Sequence, residues 1–268
     1  MKYAFTSFSC PAAGLDEVLR MARAWGYVGF EARTGFGHRH GLELGLTSEQ
    51  IAQARESFAA SGVALCCLSV SCRYADVARN ELQIAETKRY LALAGALGAP
   101  LLRVFCGEIP LRETRERARE HIVAALTELA PFAEATGVRI VVETHDDWSA
   151  PYQMAEVLAA VGHPSVGAVW DVMHTLRGGG ASMAEAHRIL EPWLYHVHIH
   201  DGLLDRSQLR FRAIGEGEID HLEVARILLE HRYDGFLSGE WLDWEAPEVH
   251  LPRELATMRR YEAEIATL

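Results

Sequence analysis

Histidine recurs at every second position in Tyr195-His196-Val197-His198-Ile199-His200-Asp201. With the period of a strand, His196, His198 and His200 share one face, and apolar Val197 and Ile199 take the other. Neutral imidazoles on one strand face can converge on a cation, or they can be buried and satisfied by hydrogen bonds. Three further strand-like runs end in a carboxylate: Val138-Arg139-Ile140-Val141-Val142-Glu143, Val166-Gly167-Ala168-Val169-Trp170-Asp171 and Phe236-Leu237-Ser238-Gly239-Glu240. Four strands in succession therefore end in Glu, Asp, His and Glu. One strand-end carboxylate is unremarkable, since it can cap the next helix. Three acids and one imidazole in one concave site would leave a net charge of −3, which is costly unless a divalent cation neutralises it. A set of three oxygens and one nitrogen, completed by water or substrate, suits Mn2+, Mg2+ or Co2+ better than a closed structural zinc site.

These residues need a scaffold that brings four strand ends together. Apolar, β-branched runs alternate with amphipathic segments along the whole chain. Strands are predicted at Lys2–Phe5, Val28–Ala32, Ala64–Val70, Leu101–Phe105, at the runs ending in Glu143 and Asp171, at Leu194–Ile199, and at Phe236–Glu240. Helices are predicted at about 15–25, from Thr47 onward, at 80–97, 112–135, 152–161, 183–190, after Ile219 as far as His231, and at 252–265. Thr47-Ser48-Glu49-Gln50 resembles a capping box, Gly98-Ala99-Pro100 is a stop signal, and Pro131 predicts a kink. Strand–helix alternation implies parallel pairing with right-handed crossovers. Eight such units without a linker fit one closed (β/α)8 TIM barrel over residues 1–268. An open doubly wound sheet is the alternative, but no early strand is followed by Gly-x-Gly-x-x-Gly. In a barrel the C-terminal strand ends carry the chemistry, and Glu143, Asp171, His198 and Glu240 all lie there.

Composition narrows the functions. Of 268 residues, 49% are hydrophobic, ample for a core, yet no run of about 18 apolar residues predicts a membrane span. The N-terminus reads as a strand rather than a signal peptide. Cys10, Cys66, Cys67, Cys72 and Cys106 sit in or beside apolar runs and are odd in number, which suits reduced thiols in a cytoplasmic protein. A net charge of −11 gives no footprint for nucleic acid. Lys2 and Lys88 are the only lysines, and neither is placed at a strand end, which removes Schiff-base chemistry.

Glu143-Thr144-His145, Asp171-Val172-Met173-His174, His196-Val197-His198-Ile199-His200-Asp201, Gly215-Glu216-Gly217-Glu218 and Gly239-Glu240 together resemble the sugar phosphate isomerase/epimerase superfamily of xylose-isomerase-like barrels. Gly26-Tyr27-Val28-Gly29-Phe30-Glu31 resembles its second strand. The resemblance spans essentially the whole chain and implies Glu143, Asp171, His198 and Glu240 as ligands of one divalent ion, Mn2+ first, with Mg2+, Co2+ or Zn2+ as alternatives. It also implies Glu143 and Glu240 as an acid/base pair that moves a proton through a metal-stabilised cis-enediolate. His174 resembles the family histidine that contacts a substrate oxygen. His145 either lines the pocket or is an exposed loop histidine. Glu31 either orients a ligand or substrate, or pairs with Arg33 or Arg103. Arg206, Arg210 and Arg212 are the cations available to hold a substrate hydroxyl or carboxylate, and His200 stands where relatives often carry lysine.

The expected partner is a small carbohydrate, with neither nucleic acid nor membrane, and relatives are often homodimers or homotetramers. The expected activity is that of a metal-dependent sugar isomerase or epimerase. A dehydratase of the inosose or 3-dehydroshikimate type is the rival on the same site, and a non-catalytic sugar-binding barrel the remote alternative. The metal-dependent endonucleases of the superfamily are disfavoured, because Asp205-Arg206-Ser207 lacks their histidine.

Overall fold

The computed structural model describes residues 1–203 and 209–267. Eight parallel strands close into a barrel: β1 (Lys2–Thr6), β2 (Gly29–Arg33), β3 (Ala64–Ser69), β4 (Leu101–Phe105), β5 (Arg139–Glu143), β6 (Val166–Asp171), β7 (Leu194–Ile199) and β8 (Phe236–Gly239). They pair in sequence order, and β8 closes on β1 through Ala4 opposite Ser238 and Phe5 opposite Gly239. Nine helices flank the strands among the described residues: α1 (Leu15–Trp25), α2 (Ser48–Ser61), α3 (Val77–Leu97), α4 (Arg115–Thr136), α5 (Pro151–Val161), α6 (Val172–Arg177), α7 (Met183–Leu190), α8 (His221–Glu230) and α9 (Pro247–Ile265). None is long and apolar enough to cross a membrane. The predicted TIM barrel is therefore the observed fold.

Strand alternation divides the core in two. Outward side chains such as Leu68, Leu102, Val104, Val142, Trp170 and Leu237 pack against the helices in one continuous cluster. Inside the barrel a second cluster contains Ala4, Cys67, Leu101, Val141 and Val169. Leu101, Val141 and Val169 lie two residues before Arg103, Glu143 and Asp171 on the same strand faces. The polar groups at the mouth thus stand on an apolar floor, which lowers the local dielectric and strengthens every charge interaction above it. All five cysteines are buried and unpaired.

The local signals explain most boundaries. Thr47 and Gln50 form the reciprocal capping box that starts α2, and Gly98 in a left-handed conformation ends α3. Pro131 lies inside α4. Two differences have physical causes. Helix α6 has six residues, too few to show a helical period, and it forms because the Asp171 side chain accepts the His174 backbone N–H. Helix α9 starts at Pro247 rather than Pro252, because Pro247 already supplies the first-turn proline and Pro252 sits within the helix.

Beyond β7 the chain makes a short antiparallel ribbon, Asp201–Gly202 with Phe211–Arg212. Asp201 is fully buried and accepts the backbone N–H groups of Gly202, Gly215, Gly217 and Ile219 at 2.8, 2.9, 3.1 and 3.1 Å. A Cβ on Gly217 would stand 2.1 Å from Asp201 Oδ1, so only glycine fits. The Gly215-Glu216-Gly217 turn thus has a backbone role, closing the loop after β7 onto the strand. Asp201→Ala leaves these buried donors without their charged acceptor. We expect a loss of about 3 kcal/mol, measured as a lower midpoint in urea unfolding, because hydrogen bonds to a buried charge are worth about 1.5–3 kcal/mol and stranded donors add a further cost. An unchanged midpoint would show that the loop is held elsewhere.

Candidate metal centre

Each side chain of the centre is placed by a strand end. Glu143 and Asp171 are the last residues of β5 and β6, His198 is the penultimate residue of β7, and Glu240 follows β8. The β6–β7 register sets Asp171 opposite His198, and the β7–β8 register sets His198 opposite Ser238, two residues below Glu240. The four residues offer ligand atoms that all lie within 4.8 Å of one another. All four are buried, and Glu240, at 7%, keeps the most solvent contact.

His198 uses its two nitrogens differently. Its Nδ1 faces Glu143 Oε1 at 3.4 Å and Glu240 Oε2 at 3.2 Å. Its Nε2–H points to the Glu31 carboxylate, 3.1 and 3.2 Å from the two oxygens. Glu31 also pairs with His196 Nε2 at 2.8 Å and accepts from the Ser69 hydroxyl. This carboxylate–imidazole pair fixes the ring so that Nδ1 faces the cluster, the arrangement by which outer carboxylates orient metal-binding histidines. Glu31 is fully buried, and burial by itself would raise its carboxyl; His198 and His196 more than reverse this and hold it well below the ordinary carboxylate range.

Arg103 on β4 supplies the compensating charge. Its Nε lies 3.1 Å from Glu143 Oε2 and its Nη2 3.7 Å from Glu240 Oε1, so one guanidinium bridges the two glutamates. Burial pushes Glu143 up, but Arg103 and then His198 outweigh it and bring the carboxyl to about 2. Glu240 is likewise lowered, His198 first against its burial. Asp171 is divided between two tasks. Its Oδ1 accepts the His174 N–H at 2.7 Å, and its Oδ2 pairs with His200 Nε2 at 2.9 Å.

The donor set fits a divalent cation. Both Glu143 oxygens and His198 Nδ1 are sealed from solvent and make no hydrogen bond among the described residues. Buried polar atoms rarely stay so. Of these, Glu143 Oε2 faces Arg103, while Glu143 Oε1 and His198 Nδ1 face each other at 3.4 Å with ligand atoms of Asp171 and Glu240 within 4.8 Å. Three oxygens with one nitrogen match the preferences of Mn2+, Mg2+, Co2+ or Zn2+.

Other expected residues are placed as follows. His145 and His174 lie edge to face with ring centres 4.2 Å apart, and His174 lies 5.9 Å from His200, so three imidazoles wall the side of the cluster formed by β5 to β7. Burial by itself would lower His145, but the Asp146 hydrogen bond at 2.7 Å together with the Glu143, Asp146 and Asp171 charges outweighs it and raises the ring to about 9, whereas burial lowers His174 to about 4. Glu31 lies inside the barrel behind His198, facing neither Arg33 nor Arg103 in an ion pair. Arg206 lies outside the described residues. Trp148 and Trp241 are buried in the core, while Trp244 stays half-buried beside Phe211 at the mouth. Sequence reasoning gave Arg103 no part in the centre. Its position two residues above Leu101 on an inward strand face was the available signal.

If the cluster binds Mn2+, saturation at about a hundred times Kd stabilises the fold by about 2.7 kcal/mol. That should appear as a rise in Tm of roughly 5–10 °C, absent in Glu143→Ala. Glu31→Gln is expected to weaken metal binding about 10- to 100-fold by calorimetry. Equal affinity in both proteins would remove the orienting role.

Comparison with known proteins identifies the barrel. The sequence profile of the xylose isomerase-like TIM barrel matches residues 19–261. An uncharacterized protein of Methanocaldococcus jannaschii is 29% identical over 124 residues, a match covering 44% of this chain and 41% of that protein. Among solved structures, the probable 3-DHS dehydratase AsbF of Bacillus anthracis superposes with a TM-score of 0.81 at 19% identity, over 97% of this chain and 99% of that one. D-psicose 3-epimerase of Clostridium cellulolyticum gives 0.79 at 17% identity over 99% of each chain. The IOLI protein, whose structure carries a zinc atom, gives 0.81 at 19% identity over 99% of this chain and 98% of that one. At these identities the structural matches speak to the fold, whereas the sequence profile covers nearly the whole chain: the protein belongs to the xylose isomerase-like TIM barrel family.

Proposed function

We propose that this protein is a divalent-metal-dependent isomerase or epimerase of a sugar or sugar-like hydroxy-ketone, with Mn2+ the first candidate metal. One observation carries the reading. Glu143 and Glu240 reach the same imidazole nitrogen at 3.4 and 3.2 Å from different strands, and Arg103 bridges them. Two carboxylates held apart around one point are what a proton transfer between two faces, or between two adjacent carbons, requires. A cation held by Glu143, Asp171, His198 and Glu240 supplies Lewis acidity toward a carbonyl oxygen and so acidifies the neighbouring C–H.

The chain's own residues do the rest. One glutamate takes the proton alpha to the carbonyl, and the other returns it from the opposite face in epimerisation or to the neighbouring carbon in isomerisation. Arg103 keeps Glu143 ionised and fixes its orientation. Glu31 holds the His198 ring, so it is read as positioning a ligand rather than touching substrate. His174, with His145 beside it, is read as the residue that meets a substrate oxygen.

A second reading, elimination of water from a hydroxy-ketone, is favoured by one feature. The edge-to-face pair of His145 and His174 puts a further proton carrier beside the cluster, which transfer between two glutamates does not use but departure of a hydroxyl does. The epimerase and the dehydratase that share this barrel support the two readings in equal measure.

The test is incubation with Mn2+ in D2O and a panel of ketoses, inososes and hydroxy-keto acids, followed by NMR. Deuterium should enter alpha to a carbonyl. Chelation should abolish the exchange and added Mn2+ restore it, and Glu240→Gln should slow it by about 10²- to 10⁴-fold. The product then separates epimer, isomer and alkene. Exchange that persists at full rate in Glu240→Gln would rule out the glutamate pair.

A further inference from the structure

The half of the mouth opposite the carboxylates contains a buried positive charge that the proton transfer does not use. Arg33 ends β2 on the same strand face as Glu31, two residues closer to the mouth. It is 3% exposed. Its Nη1 donates to the carbonyls of Thr34 and Ser69, both at 2.8 Å, and its Nη2 donates to the Ser71 hydroxyl. Its Nε makes no hydrogen bond, and no carboxylate lies within 4.0 Å of the guanidinium among the described residues. Phe36, itself 57% exposed, flanks the guanidinium at 4.8 Å from its ring centre.

The contrast with Arg103 is informative. Both guanidinium groups are buried at the mouth, but Arg103 is held between Glu143 and Glu240, whereas Arg33 has only neutral oxygens around it. Burial and then the neighbouring Arg103 charge bring Arg33 down to about 10, and the more distant Glu240 and Glu143 oppose this, so it stays cationic near neutrality. A buried charge without a contact partner is costly, and such groups are retained where something else supplies the partner. Thr34 and Ser71, which anchor the guanidinium, also line a cavity of about 690 Å³ over the ends of β2 to β4; Arg33 itself is not on its wall, which carries Arg73 and Arg79 beside Asp76, Glu86 and Glu108.

We propose that Arg33 is a specificity-determining residue that pairs with a carboxylate on the substrate, so that the substrate is a hydroxy-keto acid rather than a neutral ketose. The proposal rests on the proton-transfer reading of the site. It adds that the keto end lies over the carboxylate cluster of β5 to β8 and the acid end over β2 to β4. A planar carboxylate matches the guanidinium fork, and one unpaired guanidinium balances one negative charge rather than the two of a phosphate.

The test uses the full chain loaded with Mn2+ and calorimetry. The panel is a set of open-chain and cyclic hydroxy-keto acids, each beside its methyl ester, with neutral ketoses and dihydroxyacetone phosphate. At least one acid should bind about 30-fold or more tightly than its ester. Arg33→Gln should weaken the acid by a similar factor and leave the ester within a few-fold, and Arg33→Lys should recover part of the loss. A merely structural role would weaken acid and ester alike. A panel in which no acid outbinds its ester, or in which dihydroxyacetone phosphate binds more tightly than every acid, overturns the proposal. Should Arg33→Gln not fold, the acid–ester comparison on the unchanged protein still decides. The two readings fail separately: an acid that binds through Arg33 but takes up no deuterium keeps the recognition and removes the proton transfer.

Discussion

Mutual repulsion among buried carboxylates is the constraint on which this site depends. Glu31, Glu143, Asp171 and Glu240 all point into one end of a barrel whose floor is apolar, where charges interact far more strongly than in water. Each is answered by a specific partner: Glu31 by His196 and His198, Asp171 by His200 and a helix cap, Glu143 and Glu240 by Arg103. His198 stands in the middle with one nitrogen turned to Glu31 and the other to the glutamate pair. Glu143 Oε1 and His198 Nδ1, which face each other at the common point, are among the buried atoms left without a hydrogen bond.

The closed barrel makes these pairings possible. Glu31 and His198 are 167 positions apart in sequence, yet they face each other across the interior because β2 and β7 project the same strand face inward. The strands differ around the mouth. Strands β5 to β8 bring carboxylates and imidazoles, whereas β2 and β4 carry Arg33 and Arg103 above the deeper Glu31. Arg103 is tied to the glutamates, and Arg33 is held by neutral oxygens. Helix α6 contributes by its start, where its capping requirement fixes one Asp171 oxygen and leaves the other for His200.

Much of this is legible in the chain, for reasons that particular residues make clear. Period-two alternation around His196, His198 and His200 marks an inward strand face, and carboxylates ending three further strands mark one end of the barrel, which is why the four side chains could be grouped before any contact was known. What a single strand cannot reveal is the partner across the interior. Glu31 could be read as facing Arg33 or Arg103, since neighbours on nearby strands are easier to infer than a histidine five strands further along the chain. Arg103 was equally opaque, because an arginine inside a hydrophobic strand run has no meaning until the acids above it are located. Short elements escaped too: six residues of α6 carry less than two helical turns of pattern.

The carboxylate of Asp201 closes the loop after β7 on itself by holding Gly202 at one end and Gly215, Gly217 and Ile219 at the other. In evolutionary terms this makes the intervening segment a replaceable cassette. Lengthening such a loop costs little entropy once its ends are clasped, and binding residues tend to accumulate on loops held by a rigid scaffold. The residues between Gly202 and Gly215 can therefore vary in sequence while the clasp keeps His198, three positions upstream of Asp201, where it is.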